Sequence, residues 1–381
     1  MPGTFFYIGG EMRERLGKLT ENLDYTLLIA VVLLCFYGIV ILYSSTRFGY
    51  GVVGENPLFY VKRQSLWIAS GFLLLIMIIL VDYHNLERFS LAIYIFSILS
   101  LILVIVVGRI THGSRRWLYL GVFPLQPSEF AKIALIIFLA DFLSKNKTKM
   151  ENFTYFLLPF FYTGLYILLI FMQPDLGTSL TYIVILIIML FVVGSRIKYL
   201  LTIFLVTFSS FPVLWHFLKD YQKRRILVFL NPNLDPLGSG YNVIQSKIAI
   251  GSGGLLGKGI FQGLQSQLKF LPAQHTDFIF SVLGEELGFI GAVLLLFLYI
   301  VIIWRGIKIA LEAKDIFGAL LATGVVSFFL FHIVVNIGMT MGILPATGLP
   351  LPFISYGGSF MLTNLIAVGL LLNVHLYKIK W

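Results

Sequence analysis

The sequence predicts an all-α polytopic membrane protein with ten transmembrane helices and a large extracytoplasmic loop between helices 7 and 8. Three observations carry this. Of the 381 residues, 58% are hydrophobic and only 12% charged, about half the charged share of a soluble domain, which is too little to coat a water-soluble surface. The apolar residues fall into runs of about 17 to 25, long enough to cross a hydrocarbon core of roughly 30 Å as helices, which satisfy their own backbone hydrogen bonds. The basic residues gather in short clusters between those runs.

Taken in order, the runs are 25 to 45, 65 to 81, 89 to 107, 127 to 143, 152 to 172, 176 to 194, 199 to 218, 278 to 304, 316 to 338 and 359 to 377. The first, Tyr25 to Ser45, is too long for a signal-peptide core and lacks a small-residue cleavage site, so it reads as a retained span following a polar segment, 1 to 24. Lys132 and Asp141 interrupt the fourth run, Pro212 the seventh, and Glu285 with Glu286 the eighth. An even number of spans puts both termini on one side. With that side cytoplasmic, fourteen Lys and Arg lie in inside segments and six (Arg47, Lys62, Arg63, Arg109, Arg115, Arg116) in short outer loops, the bias expected of a positive inside. The seven basic residues of the long segment 219 to 277 do not count in that rule.

Four stretches break the pattern, namely 108 to 126, 173 to 178, 219 to 277 and the Pro/Gly-rich 338 to 358, and all four fall on the outer face. Loops of this size in a compact protein are usually functional. Residues 25 to 381 read as one membrane domain, without the internal repeat common in secondary transporters. The single cysteine, Cys35, precludes an intrachain disulfide. The net charge of +10 is clustered rather than spread over a polar face, which favours anionic lipid head groups or a phosphorylated ligand over nucleic acid.

Several residues could carry chemistry. Glu129 and Lys132, three apart, share a helix face and can pair, either as a neutralised couple that lets the helix insert or as part of a site. Glu285 and Glu286 point about 100° apart on a helix, so one of them is expected to face a polar cavity. Asp175 and Asp277 each precede a span and could cap it; Asp277 has Lys269, His275 and a Gly-rich stretch for company. That stretch, Gly251 to Gly259, is not a P-loop, since Ser252 stands where a glycine is needed and Gly259 follows Lys258. Its glycines permit tight turns or close helix approach. Arg115 and Arg116, beside Trp117, could bind phosphate oxygens or simply anchor a loop to head groups. The six histidines show no metal-ligand spacing, so no metal site or cofactor is expected, with a divalent cation left open.

These residues resemble the SEDS family, the membrane glycosyltransferases RodA, FtsW and SpoVE. Four ordered motifs carry the resemblance: Arg116-Trp117 followed by Gln126 to Lys132; Gln173-Pro174-Asp175-Leu176-Gly177-Thr178; Gln245 to Gly288 containing His275-Thr276-Asp277-Phe278; and Asn336 to Ser359 ending Ser355-Tyr356-Gly357-Gly358-Ser359. Asn336 to Thr340 and Thr347 to Phe353 look like the RodA branch. One departure is that Ala273-Gln274 follows Pro272 where the family commonly has Pro-Glu.

The resemblance implies a peptidoglycan glycosyltransferase of the bacterial cytoplasmic membrane that polymerises lipid II during cell elongation, with its active face outside. Its implied partners are a class B penicillin-binding protein and other elongation-complex membrane proteins. It further implies Asp277 as the essential acidic residue and the base, Glu129 and Lys132 as shaping the central cavity, and Arg115, Arg116 and Lys132 as candidate diphosphate contacts. Asp175, Glu285, Glu286 and Ser355 are expected to line the cavity or hold structure. A lipid II flippase, or a scaffold for the transpeptidase, would use much the same polar cavity.

Overall fold

The computed structural model describes residues 22–47, 57–111, 114–120, 123–210, 212, 215–216, 220–235, 238–268, 270–271 and 273–378. Nearly all of the polar N-terminal segment, together with Lys269 and His112, lies outside them. The chain runs through α1 (Tyr25–Arg47), α2 (Pro57–Leu80), the short α3 (His84–Arg88) and α4 (Ser90–Val107). Three strands follow, β1 (Arg109–Thr111), β2 (Ser114–Leu120) and β3 (Phe123–Leu125). Next come α5 (Pro127–Lys145), α6 (Phe153–Met172), α7 (Leu176–Val192) and α8 (Ile197–Ser209). The long segment holds α9 (Asp220–Leu230), α10 (Ser239–Gly253) and α11 (Leu264–Gln267), and the chain ends with α12 (Ile279–Glu312), α13 (Ile316–Thr340) and α14 (Gly358–Tyr377).

Among the described residues, seven helices (α1, α2, α4, α6, α12, α13 and α14) are long and apolar enough to cross a membrane. The other three expected spans coincide with α5, α7 and α8. Helix α5 carries Glu129, Lys132, Asp141 and Lys145, while α7 has 17 residues and α8 only 13, ending before Pro212. Helix α2 begins eight residues before the expected run, because Lys62, Arg63 and Gln64 are built into its first turns. The core is centred on α13 and α14, most of whose residues are buried. Around them pack α2 against α14, and α5, α7 and α12 against α13. The outer helices keep large apolar side chains such as Phe36, Phe96, Leu168 and Phe297 exposed, as a lipid-facing surface requires.

Two features depart from the helical reading. Strands β1, β2 and β3 form a three-stranded antiparallel sheet in sequence order, with Arg109 opposite Trp117 and Leu118 opposite Leu125. The eighth span is also broken, for Gly288 sits at φ 63°, ψ −157°, a conformation that only glycine adopts readily. The Gly-rich stretch fills the break. The amides of Lys258 and Gly259 donate to the carbonyls of Glu285 and Glu286 (3.1 and 3.0 Å), and those of Phe289 and Ile290 donate to Gly254 and Leu255 (2.9 and 3.2 Å). A Cβ on Gly257 would lie 2.1 Å from the Glu286 oxygen, so the close approach depends on having no side chain there.

Candidate functional site

One end of the bundle is assembled by two turns that hold each other. In the 275–277 turn, three consecutive carbonyls each receive one donor. The Tyr356 amide donates to His275 (2.9 Å), the Ser355 hydroxyl to Thr276 (2.6 Å) and the Asn336 side-chain amide to Asp277 (2.9 Å). Asn336 Nδ2 also donates to Leu349 (2.7 Å), and Ser355 Oγ accepts from the Leu351 amide (2.8 Å). Gln64 of α2 closes the far side, donating to the Ser355 carbonyl (3.2 Å) and accepting from the Gly357 amide (3.3 Å). Ser355 therefore positions the Asp277 segment. Asn336 and Gln64 do the same work and carried no expected role; Gln64 follows Lys62 and Arg63 in the polar first turns of α2, so nothing in its neighbourhood marked it out.

The carboxylate that this scaffold presents is not a helix cap. Helix α12 begins after Phe278 with no side-chain cap. Asp277 keeps part of its surface accessible but is enclosed enough that withdrawal from water pushes its carboxyl up to about 6, against a hydrogen bond from Thr276. The Asp175 charge adds to the rise, and Arg225 and Arg116 oppose it. Asp175, by contrast, does cap. Its Oδ1 accepts from the Thr178 amide (3.2 Å) while Oδ2 meets Arg116 at 3.3 Å. Arg116 also donates through Nε to the Gln173 carbonyl (3.0 Å) and through Nη2 to that of Pro174.

The arginine pair is thus divided. Neighbours on a strand point to opposite faces, and Arg116 enters the site while Arg115 stays exposed, its Nη1 3.3 Å from the Ile105 carbonyl. Trp117 instead lines a cleft of about 230 Å³ with Arg63, Trp67, Pro124, His275, Thr276 and Tyr356. That cleft adjoins the Asp277 turn through His275 and Thr276.

Glu129 and Lys132 pair as their spacing predicts, at 2.9 Å, but Lys132 has no exposed surface. Its ammonium also lies 3.2 Å from His332 Nε2 and over the rings of Phe328 and Phe360. With Nε2 accepting from Lys132, Nδ1 of His332 donates to the Pro350 carbonyl at 3.1 Å. The buried trio therefore fastens α5 to the turn beside Asp277 from beneath. Glu285 and Glu286 are both buried. Glu285 takes Lys258 Nζ (2.8 Å), the Gln265 amide (3.0 Å) and the Ser266 hydroxyl (3.1 Å); Glu286 takes the Ser44 hydroxyl of α1 (2.5 Å). Glu285 anchors the inserted Gly-rich stretch, and Glu286 ties α12 to α1. Among the described residues no group of three or more His, Cys, Asp or Glu is placed to hold a metal ion.

Comparison with known proteins bears on this arrangement. A family profile described as "Cell cycle protein", for FtsW, RodA and SpoVE, matches residues 25–380. Stage V sporulation protein E of Bacillus subtilis is 42% identical over 358 residues, covering 93% of this chain and 97% of its own. Peptidoglycan glycosyltransferase MrdB of Escherichia coli is 38% identical over 367 residues, with 94% of each chain covered. The crystal structure of the rod shape determining protein RodA from Thermus thermophilus superposes with a TM-score of 0.69 at 30% identity, over 94% of this chain and 98% of that one. A chain from a peptidoglycan synthase complex, solved for its coordination of polymerization and crosslinking, gives 0.79 at 34%, over 93% and 98%.

Proposed function

The chain belongs to the FtsW/RodA/SpoVE family, and from that premise we propose that Asp277 is the general base of glycan-strand polymerisation. The protein is a peptidoglycan glycosyltransferase. The acceptor hydroxyl of one lipid II unit attacks the anomeric carbon of another, a new C–O bond forms with inversion, and the bond to the polyprenyl diphosphate breaks. Asp277 takes the hydroxyl proton; the diphosphate leaves with the bonding electrons, and Arg116 and neighbouring cations offset its charge.

The observation that supports this best is the condition of the Asp277 carboxyl. A base works best when its pKa lies near the operating pH, and burial lifts this one to about 6 within a turn fixed by three hydrogen bonds. Glu129 and Lys132 shape the floor of the site rather than touching diphosphate, and Arg115 serves as a loop anchor. We assign the protein to the elongation branch on its Asn336 to Thr340 and Thr347 to Phe353 motifs, with a class B transpeptidase as partner. The 25–381 membrane domain has both termini cytoplasmic and the 219–277 segment outside.

The test is Asp277→Asn in purified, partner-bound protein supplied with lipid II. Losing the base should slow polymerisation roughly 100-fold to 10,000-fold. Near-normal strand formation would reject the assignment.

A further inference from the structure

We propose that Gln274 is a positioning residue that fastens the Asp277 turn to α1, so that α1 holds the two turns of the site in register. The inference rests on the reading of Asp277 as the base. Gln274 belongs to the Ala273-Gln274 pair by which this chain departs from the common Pro-Glu, and the reaction above gives it no part. Its side chain is buried, and Nε2 donates to the Ser45 carbonyl in the last turn of α1 (2.6 Å), 229 positions away in the chain. Among the described residues nothing donates to its buried Oε1. The side-chain amide is therefore used as a donor alone.

The weight of this one bond follows from how the turn is built. Ala273 sits at φ 52°, in the left-handed region that a residue with a Cβ seldom enters. Its carbonyl receives the amides of Thr276 (3.1 Å) and Phe278 (3.3 Å), so residues 273 to 278 close on themselves and carry Asp277 as a unit. The donors Tyr356, Ser355 and Asn336 tie that unit to the second turn; Gln274 ties it to a helix. The second turn meets the same helix, for a Cβ on Gly38 would lie 2.5 Å from the Phe353 carbonyl. Gly38 and Ser45 stand about two helical turns apart, roughly 10 Å along the axis. This end of α1 is itself anchored. Ser44 donates to Glu286, and the Phe261 ring packs edge-on against Tyr43 (5.6 Å between centroids) with the Arg47 guanidinium 4.9 Å away. One fixed helix thus spaces both turns, and Gln274 is where the Asp277 turn takes hold of it.

The experiment follows hydrogen exchange of the 273–278 amides in the full, partner-bound protein, alongside turnover of lipid II. Gln274→Met keeps the length of the side chain but cannot donate. It should speed exchange roughly fivefold to tenfold, the scale of one buried hydrogen bond, and lower turnover by about as much with half-saturating lipid II unchanged. Gln274→Glu is the sharper variant. At pH 8 its carboxylate faces a carbonyl with nothing to donate, so it should match the Met variant. At pH 6 the buried carboxyl regains a proton that it can donate, and exchange relative to wild type at the same pH should return toward one. Loss of bulk alone would show no such recovery. Wild-type exchange in both variants at pH 8 would overturn the proposal, as would slower turnover without faster exchange, or a Glu variant that acidification does not rescue. Faster exchange in Gln274→Met together with normal polymerisation by Asp277→Asn would leave the anchor standing and remove the base.

Discussion

At Asp277, the base proposed above, the fold keeps a carboxyl partly out of water. Its raised pKa means that the folded protein binds this proton more tightly than the unfolded chain does. Ionising it therefore costs stability, on the order of 3 kcal/mol at most for a rise of about two units. Asp277→Asn should accordingly raise the thermal midpoint at pH 7.5. The gain should disappear as pH falls below about 4, where both states are protonated, while wild-type polymerisation should fall away below pH 6 as the base is lost. A thermal midpoint equal to wild type at pH 7.5 would contradict the burial account. Asn336 can be separated from this. Asn336→Leu removes the donor shared by the Asp277 and Leu349 carbonyls without touching the substrate. Turnover should drop roughly tenfold or more, since small displacements of a reacting group are costly, with half-saturating lipid II unchanged and partial rescue by Asn336→Gln. A rise in half-saturation at constant turnover would instead place Asn336 in binding. Asp277 was singled out in the sequence by its motif. Asn336 was not given a role, because a span's polar residue reveals that it has a partner but not which carbonyl, 59 positions away, it holds.

Among the elements, α5 shows how far spacing can be trusted. The pairing of Glu129 with Lys132 follows from their separation, but the depth at which they pair does not. His332, 200 residues later in the chain, completes the trio. Removing one member of a buried pair leaves an uncompensated charge, at a cost of roughly 3–5 kcal/mol, whereas removing both is far milder. Lys132→Met should thus destabilise strongly and the double variant Glu129→Gln, Lys132→Met should recover most of the loss in a thermal-melt cycle. Polymerisation that returns with stability would mark the pair as scaffold; stable but inactive protein would return it to the binding machinery. The sheet of β1, β2 and β3 escaped the helical reading because its strands of three, seven and three residues are too short to show a period. Once formed, β2 decides which arginine enters the site, a choice that composition could not make.

For the whole molecule, the apolar runs locate the helices but not the packing order. The sequence marks α13 and α14 as spans like any other, yet together with α5 they are the buried helices around which the rest assemble. Their buried Asn364, Asn373 and Thr363 are polar positions that a lipid-facing helix would not carry. Sidedness is testable through the long segment 219 to 277. In a Cys35-free background, cysteines at positions 144 and 239 should label from opposite sides of the membrane, that at 144 from the cytoplasm. Labelling from one side would reverse the placement of every motif at the site.

The glycine break in α12 bears on how the chain is made. Past Gly288 a new helical run opens, and its leading amides, Phe289 and Ile290, take their acceptors from Gly254 and Leu255. Bare amides in hydrocarbon are costly. The last spans consequently do not form a self-sufficient insertion unit: residues 279 to 381 delivered alone to the membrane would carry two orphan donors at the head of their first crossing. Synthesis from the N-terminus resolves this, since the segment that satisfies them has already been made when α12 emerges. The order of translation thus supplies the acceptors before the donors need them.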